Sequence, residues 1–363
     1  MDNQPEHSTN HWQNSSSLRC EERDRRAELY KNEMTFPVDY VPSKSTVELF
    51  INWARFTKDK SLLELMEKNE GSSVAVEKEI LGRIQKAFEV SVQAFPFKCI
   101  LMVWFPTPNV CLHPNYDQVF HEYTNKTDVR YVDIGCCMGT DLRYVCYNQK
   151  HNVKIENSLG LDIQEEFFDV GCNLLFEDNV TMQERFIKTN ILDDQFVENC
   201  SNPSLLSEFV KPRSKPYDNE MNFVHECAKL KYQGTDIVYC GLVFHLLSET
   251  QTYQLSTLVY NNFLKDQGGI FFGSTVGSTD PVQPIRNNER RDMLGFSFVH
   301  SVESLKEMLE KIGFVNVQVE MKNIKKSELI RDDQGKQESV TSEFEKAISN
   351  LSMITWYAEK TSN

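Results

Sequence analysis

The stretch Tyr131-Val-Asp-Ile-Gly-Cys-Cys-Met-Gly-Thr-Asp-Leu-Arg143 decides the fold that we expect for this chain. It begins with a short apolar run that contains Asp133, turns through Gly135 and Gly139, and then shows apolar residues at helical spacing from Asp141 onward. A strand, a glycine turn and a helix in this order present backbone N–H groups and a helix N-terminus to a nucleotide-like ligand. The stretch therefore predicts a ligand site in a doubly wound α/β fold.

The glycine pattern of this stretch differs from the fingerprint of dinucleotide-binding proteins. In the Gly-x-Gly-x-x-Gly fingerprint the second glycine lets the backbone approach a pyrophosphate, and Cys137 occupies that place here. Asp133 at the end of the strand suits a cationic ligand instead, and S-adenosylmethionine carries an ammonium and a sulfonium but no phosphate. The motif therefore points to S-adenosylmethionine, and an ordinary strand, turn and helix without a ligand is the alternative.

The composition limits the partners of the chain. Its 363 residues include 39 Lys and Arg against 53 Asp and Glu, which gives a formal net charge of −14. This balance argues against nucleic acid or an anionic membrane as the main partner, since both attract basic surfaces. No apolar run reaches the roughly 18 residues of a membrane span, and the N-terminus lacks the apolar core of a signal peptide. We therefore expect a cytoplasmic protein, and a homodimer is left open.

Cysteine and histidine usage indicates neither a disulfide framework nor a metal site. The ten cysteines form no Cys-x-x-Cys pair and no ladder of regular spacings, so free thiols in a cytosolic protein are the better interpretation. The eight histidines do not combine with cysteines or carboxylates at the spacing of metal ligands.

The chain divides into three parts by composition and periodicity. Residues 1–22 are polar and are expected to be disordered. Residues 23–125 are expected to form an N-terminal helical cap and a connector, and residues 126–363 the ligand-binding domain, with an insertion at about 195–234. The cap helices are expected to begin at Ser45, as an N-cap, and to cover Ser61–Lys68 and Ser73–Ala94.

Strands alternate with helices from the central motif to the C-terminus. This alternation predicts a doubly wound, seven-stranded, mostly parallel sheet with helices on both faces. Between the fifth strand and the next helix, Asp280–Arg286 is expected to be irregular. The expected strands are Tyr131–Ile134, Ser158–Asp162, Arg185–Asn190, Thr235–Cys240, Gly268–Gly273 and a closing pair, Phe314–Met321 and Ser352–Glu359.

The carboxyl ends of these strands supply candidate ligand contacts, because a doubly wound sheet binds its ligands there. Asp133 and the glycine turn are expected to hold the methionine portion of the ligand, and the backbone carbonyl of Cys240 is expected to meet its ammonium. The candidate residues at this end are Asp133, Ile134, Gly135, Cys136, Gly139 and Cys240.

The next two strand ends supply candidates for the nucleoside portion. Asp162 could accept two hydrogen bonds from ribose hydroxyls, and Ile163 could lie against the adenine face. The amide oxygen of Asn190 could accept from the adenine amino group, with Ile191 beside it. An acid at a strand end can also be a helix cap, and an asparagine can satisfy a turn. The ordered set on successive strands is more specific than any one residue.

The chain resembles the class I S-adenosylmethionine-dependent methyltransferases, over about Tyr131 to Gly273. More narrowly, it is similar to the fungal methyltransferases of meroterpenoid pathways. Three stretches carry this resemblance: Phe95-Pro-Phe-Lys-Cys-Ile100 followed by His113-Pro-Asn-Tyr116, Val132 to Arg143, and Leu159-Gly-Leu-Asp-Ile-Gln-Glu-Glu-Phe167. The resemblance implies a Rossmann-like methyltransferase fold and cofactor contacts around Asp133, Asp162 and Asn190. The family usually has Asp where this chain has Asn190, whose amide oxygen can still accept a hydrogen bond from the adenine.

The resemblance also implies methyl transfer to an oxygen, often a carboxylate, of a small-molecule acceptor. A carboxylate is already a nucleophile at neutral pH, so catalysis would consist mainly of alignment in a dry site. A hydroxyl acceptor needs a base, and His245 just beyond the fourth strand is the best-placed candidate. A packed histidine is the alternative. The sequence does not identify the acceptor.

Two other functions stay open from the sequence alone. The first is a regulatory protein that keeps the fold and binds S-adenosylmethionine without turnover. The second is a nicotinamide-dependent oxidoreductase, against which Cys137 speaks because it replaces a glycine of the dinucleotide fingerprint.

Overall fold

The computed structural model describes residues 35–68, 73–148, 151–177, 180–193, 234–282, 284–286, 298–322 and 351–361. The expected disordered tail at 1–22 and nearly all of the expected insertion at about 195–234 lie outside these residues. The statements below refer to the described residues.

A seven-stranded sheet forms the centre of the protein, in the order β3-β2-β1-β4-β5-β9-β8. The strands β1 to β5 are parallel to one another, and β9 runs antiparallel between β5 and β8. The predicted fold class, a doubly wound, seven-stranded and mostly parallel sheet, is confirmed. The strands are β1 (Val129–Ile134), β2 (Val153–Asp162), β3 (Phe186–Lys188), β4 (Ile237–Gly241), β5 (Gly269–Ser278), β8 (Val315–Lys322) and β9 (Leu351–Lys360).

Helices cover both faces of this sheet. The helices α7 and α9 each continue into a π-helical turn, Gly171–Leu175 and Val259–Phe263. Serine N-caps start α9 and α10, and Gly313 in the left-handed conformation ends α10. The helices are α1 (Lys44–Thr57), α2 (Lys60–Lys68), α3 (Ser73–Ala94), α4 (Lys98–Leu101), α5 (Tyr116–His121), α6 (Thr140–Tyr147), α7 (Glu165–Val170), α8 (Val180–Gln183), α9 (Glu249–Leu258) and α10 (Val302–Ile312).

Alternation along the strands divides the interior into two cores. Tyr131 and Tyr239 point into the first core, and Val132 and Val238 point into the second, as the two-residue period of a strand requires. The first core also contains buried side chains of α1, α3, α5 and α6, and the second contains those of α9 and α10. The N-terminal helices therefore share one core with the sheet.

A buried arginine joins the N-terminal helices to each other and to the chain that follows α7. Arg83 of α3 donates hydrogen bonds to Asp59 at 3.0 Å, to Glu79 at 3.1 Å and to Glu177 at 3.2 Å. Asp59 precedes α2 and accepts the backbone N–H of Ser61 at 3.0 Å. This network orients α2 and α3 through ion pairs, because a buried guanidinium is costly unless it is paired.

The boundaries of several segments differ from the sequence expectations; β2 begins at Val153 and β5 ends at Ser278, so both strands are longer than expected. Ser43 caps α1 in place of Ser45, since Ser43 Oγ accepts the N–H of Thr46 at 3.1 Å. The strand β3 ends at Lys188. Its partner β2 ends at Asp162, so no further residues of β2 are available to pair with β3. The segment expected to be irregular contains the strand β6 (Ile285–Arg286), which pairs with β7 (Phe298–Val299).

A buried histidine attaches the connector to the sheet. The backbone N–H of Asn115 donates to Nδ1 of His113 at 3.1 Å, so the ring carries its proton on Nε2. This Nε2–H donates to the carbonyl of Trp356 at 3.0 Å. Burial lowers the pKa of His113 to about 4, and burial also lowers the pKa of His300 to about 4. Both rings are therefore neutral in the folded protein at neutral pH.

We expect His113 and His300 each to contribute a fall in the free energy of unfolding as the pH decreases from 6.5 to 4. Over this range the unfolded chain binds a proton at each histidine and the folded protein does not, which costs about 3 kcal/mol for each histidine. A His113→Gln variant keeps a donor toward Trp356 and isolates the contribution of His113, because every other titrating group is common to both proteins. Urea unfolding of both between pH 7 and 4 should show that the variant becomes more stable relative to the wild type as the pH falls; a constant difference would contradict the assignment.

Candidate functional site

The candidate site lies where the strand order of the sheet reverses. The order runs β3-β2-β1 to one side and β4-β5 to the other, so the carboxyl ends of β1 and β4 flank a crevice. The turn Gly135–Gly139 leaves β1 at this point and leads into α6.

The turn has a left-handed backbone at three positions. The φ angles are +72° at Gly135, +51° at Cys137 and +73° at Gly139. A Cβ atom at Gly135 would collide with the side chain of Val243, and one at Gly139 would collide with the ring of Phe186. Both the backbone angles and the space therefore require glycine at the two ends of the turn.

Asp162 holds the middle of this turn in place. Its Oδ2 accepts the N–H of Cys137 at 2.8 Å, and its Oδ1 accepts the N–H of Gln164 at 3.0 Å. Burial raises the pKa of Asp162 in spite of these two bonds. Each carboxylate oxygen keeps acceptor capacity for a further donor. The side chain of Ile163 beside it is 52% exposed and offers an apolar surface at the same edge.

Asp133 is the least satisfied group of the site. Its side chain is 2% exposed, and within the described residues its Oδ2 has no hydrogen-bond partner. Burial raises the pKa of Asp133 well above its ordinary value, and the like charges of Asp141 and Asp162 add to the effect. A buried acceptor without a partner is costly, so this carboxyl suits a cationic or hydrogen-bonding ligand at the end of β1.

Asp141 connects the turn to the chain that precedes the sheet. Its Oδ1 accepts the N–H of Asn109 at 2.6 Å and of Val110 at 2.9 Å, while burial raises its pKa to about 6. The neighbouring Thr140 hydroxyl donates to the carbonyl of Phe105 at 2.5 Å. The sequence analysis did not identify this role, because an acid in the first turn of a helix is common for electrostatic reasons alone.

The remaining residues expected at the methionine end have buried side chains. They are Ile134, Cys136 and Cys240. Gly273 lies next to the carbonyl of Cys240, where a Cβ atom would not fit. The absence of a side chain at Gly273 therefore leaves room beside this carbonyl.

The two residues expected at the adenine lie beyond β3. Asn190 is exposed, and its Oδ1 accepts the N–H of Leu192 at 3.3 Å. Ile191 is partly buried and packs against the second core. The structure thus shows the turn-forming role that was the alternative for Asn190. The second lone pair of Oδ1 can still accept a hydrogen bond from a ligand.

His245 lies just beyond β4 and is almost fully buried. Its Nδ1 is 3.1 Å from Oγ1 of Thr275, and its backbone N–H donates to the same oxygen at 3.1 Å. Thr275 belongs to β5, so the neighbouring strand orients the imidazole ring.

The described residues contain no group of three or more His, Cys, Asp or Glu side chains arranged to hold a metal ion. No helix in the described ranges is both long enough and apolar enough to cross a membrane.

Comparisons with known proteins place the chain near fungal methyltransferases. No protein-family model matches it. The chain is 26% identical to O-methyltransferase phiE from a fungal species over 255 residues, which cover 70% of each chain. It is 26% identical to the asnovolin E/chermesin D methyltransferase nvfJ from Aspergillus novofumigatus over 203 residues, 56% of this chain and 60% of that one. The resemblance indicated by the sequence motifs is confirmed by these relatives.

A solved structure gives a weaker match. Phosphoethanolamine N-methyltransferase 2 from Haemonchus contortus aligns with 15% identity and a TM-score of 0.42, over 72% of this chain and 56% of the other. The strand order of the sheet itself therefore carries the assignment of the fold.

We expect Asp133→Asn to stabilise the ligand-free protein at neutral pH. The amide removes a buried charge and its repulsion from Asp141 and Asp162. Because the pKa of Asp133 is raised in the folded protein, its carboxyl lowers the free energy of unfolding of the wild type as the pH rises above the unfolded-state pKa near 4. The variant has no such loss, so its free energy of unfolding should exceed that of the wild type by about 1–3 kcal/mol at the upper end of the range. Urea unfolding between pH 4 and 8 measures the difference.

Asp236→Asn is the matched control. Asp236 is also buried, but Lys126 and Lys265 donate to it at 2.5 and 2.7 Å, and these bonds hold its pKa below the ordinary value against the effect of burial. The Asp236→Asn variant should lose stability. A loss in both variants would show that Asp133 is satisfied in the folded protein.

Proposed function

We propose that this chain is an S-adenosylmethionine-dependent methyltransferase that methylates an oxygen of a small natural product. The observation that carries the proposal is the buried carboxyl of Asp133, whose Oδ2 has no hydrogen-bond partner among the described residues, at the point where the strand order reverses. The similarity to phiE, which is named an O-methyltransferase, supports the same activity.

The residues of the site fit this cofactor along its length. Asp133 and the carbonyl of Cys240 would receive the ammonium group, and the N–H groups and tight backbone of the Gly135–Gly139 turn would lie against the methionine portion. Asp162 would accept from the ribose hydroxyls, with Ile163 against the adenine. Bound S-adenosylmethionine supplies an activated methyl group, so the protein needs to contribute mainly alignment.

The N-terminal helices are suited to enclose the acceptor. They share the first core with the sheet, and the connector that follows them is bonded to Thr140 and Asp141 beside the turn. We propose that residues 23–125 act as a cap on the domain formed by residues 126–363. A cap at this edge would exclude water and hold the acceptor in line with the methyl group.

The acceptor atom decides whether the protein needs a base. A carboxylate attacks without one, whereas a hydroxyl has to lose its proton. His245 is oriented by Thr275 and lies beyond β4, and we propose that it faces the acceptor. The relative nvfJ is named an asnovolin E/chermesin D methyltransferase, and we propose that the acceptor of this chain is likewise a small natural product, methylated in the cytoplasm.

The two other functions make different predictions about ligands. A regulatory protein would bind S-adenosylmethionine without turnover, and an oxidoreductase would bind NAD. The turn disfavours NAD, because Cys137 brings a side chain to the position where a pyrophosphate needs a bare backbone.

We expect calorimetry to show S-adenosylmethionine binding that S-adenosylhomocysteine displaces and NAD does not. Asp162→Ala should weaken this binding by roughly 2–4 kcal/mol, about 30- to 1,000-fold, since it removes two charge-assisted bonds to ribose. Asn190→Ala should weaken it by about 1 kcal/mol, because only one neutral hydrogen bond is lost.

Asp128→Ala controls for the loss of a carboxylate. Asp128 is exposed, precedes β1 at the opposite edge of the sheet, and pairs with Lys154 at 3.1 Å. This variant should bind the cofactor as the wild type does. Tight NAD binding without S-adenosylmethionine binding in the wild type would refute the proposed function.

We expect His245→Gln to separate the two kinds of acceptor. With a hydroxyl acceptor kcat should fall by about 10²- to 10⁴-fold, and with a carboxylate acceptor by less than about threefold. Single-turnover rates with a labelled methyl group measure both. Thr275→Val removes the hydroxyl that orients the ring and should reproduce part of the loss; a Thr275→Val loss without a His245→Gln loss would contradict a basic role.

A further inference from the structure

We propose that Arg143 is a positioning residue that couples the N-terminal helices to the cofactor-binding turn. Its guanidinium bonds to the turn on one side and packs against the ring of Trp53 from α1 on the other. The inference rests on the proposed function for the identity of the ligand, and it adds that docking of α1 sets the shape of the turn.

Arg143 is a charged side chain with no exposed surface. Burial of a charge is costly unless hydrogen bonds and compensating interactions surround it. A guanidinium is the cation that tolerates such a place best, because it is weakly hydrated and presents planar donors and faces. The free-energy cost of burying Arg143 must therefore be offset by interactions of its guanidinium.

The first of these interactions is the bonding of Arg143 to the carbonyls of the turn. Nη1 donates to the carbonyl of Met138 at 2.5 Å and to that of Gly139 at 3.0 Å. A Cβ atom at Gly171 would collide with the same Met138 carbonyl, so the π-helical turn after α7 and Arg143 enclose this carbonyl together. The orientation of this peptide group is therefore set by Arg143.

The second of these interactions is with a box of aromatic rings around the guanidinium. Its central carbon lies 4.4 Å from the ring centroid of Phe176, 5.2 Å from that of Phe186 and 5.7 Å from that of Trp53. These distances lie within the range of cation–π attraction. The rings come from three elements, and only Trp53 comes from the N-terminal helices.

Phe186 connects the box to the glycine requirement of the turn. It is the ring that a Cβ atom at Gly139 would strike, and the same Cβ would lie 2.7 Å from Nη1 of Arg143. A displacement of the guanidinium would free space on the turn and release the carbonyls of Met138 and Gly139. Removal of the Trp53 ring would loosen the box from the α1 side.

Amide hydrogen exchange of the ligand-free protein tests this coupling without any assay of activity. The N–H groups of Gly135 and Gly139 are bonded to the carbonyls of Leu161 and Cys136 at 2.8 and 2.7 Å, so their exchange reports opening of the turn. In Arg143→Lys and Trp53→Leu the exchange of the turn should rise about tenfold relative to that of β5, since a bond to a charged group is lost or weakened.

Cofactor affinity provides the second measurement. Arg143→Lys keeps the charge but cannot donate in one plane to two carbonyls within a ring box. Its Kd for S-adenosylhomocysteine should rise about tenfold or more.

Leu49→Ala is the matched control on α1. Leu49 is fully buried in the first core, so its truncation lowers global stability through a cavity. In this variant the exchange of the turn should rise no more than that of β5. Turn exchange that stays parallel to β5 in Arg143→Lys and Trp53→Leu, with an unchanged Kd, would overturn the proposal. A wild type that does not bind S-adenosylhomocysteine would refute the proposed function, and the exchange data would still decide the role of Arg143.

Discussion

The left-handed backbone of the Gly135–Gly139 turn is the constraint on which the candidate site depends. Glycine reaches this region freely, but Cys137 enters it at a φ of +51°, which is unfavourable for a residue with a side chain. The turn keeps its shape because it is bonded from both sides, by Asp162 to an N–H group and by Arg143 to two carbonyls. The strand ends can converge on one ligand only while this shape persists.

Negative charge is concentrated around the turn. Asp133, Asp141 and Asp162 all have a raised pKa, and burial is the first cause for each. Asp141 and Asp162 offset part of this cost with backbone N–H groups, whereas Asp133 does not. A protein selected for stability alone would place an apolar or amide side chain there. The cost is understandable if a cation completes the site.

The N-terminal helices are attached to the sheet by polar contacts as well as by apolar packing. Arg83 joins α2 and α3 to Glu177, and Asp141 holds the connector on the first turn of α6. Because Asp141 lies two residues after the glycine turn, its contact links the connector directly to the candidate site. This arrangement suits an enzyme whose main task is to align an acceptor in a dry cavity.

The amino-acid sequence by itself determined the strand, glycine turn and helix, the seven-stranded sheet and the strand ends at which Asp133 and Asp162 lie. These features follow from local signals: the periods of strands and helices, and the need for glycine at positive φ. The tertiary structure decided the rest. Asn190 left the sheet because β2 ends at Asp162 and offers no further ladder. Arg143 became buried because Trp53, Phe176 and Phe186, which are distant in the chain, meet around it. No local pattern shows which carboxylate will lack a partner, since that depends on which groups the completed fold brings within reach.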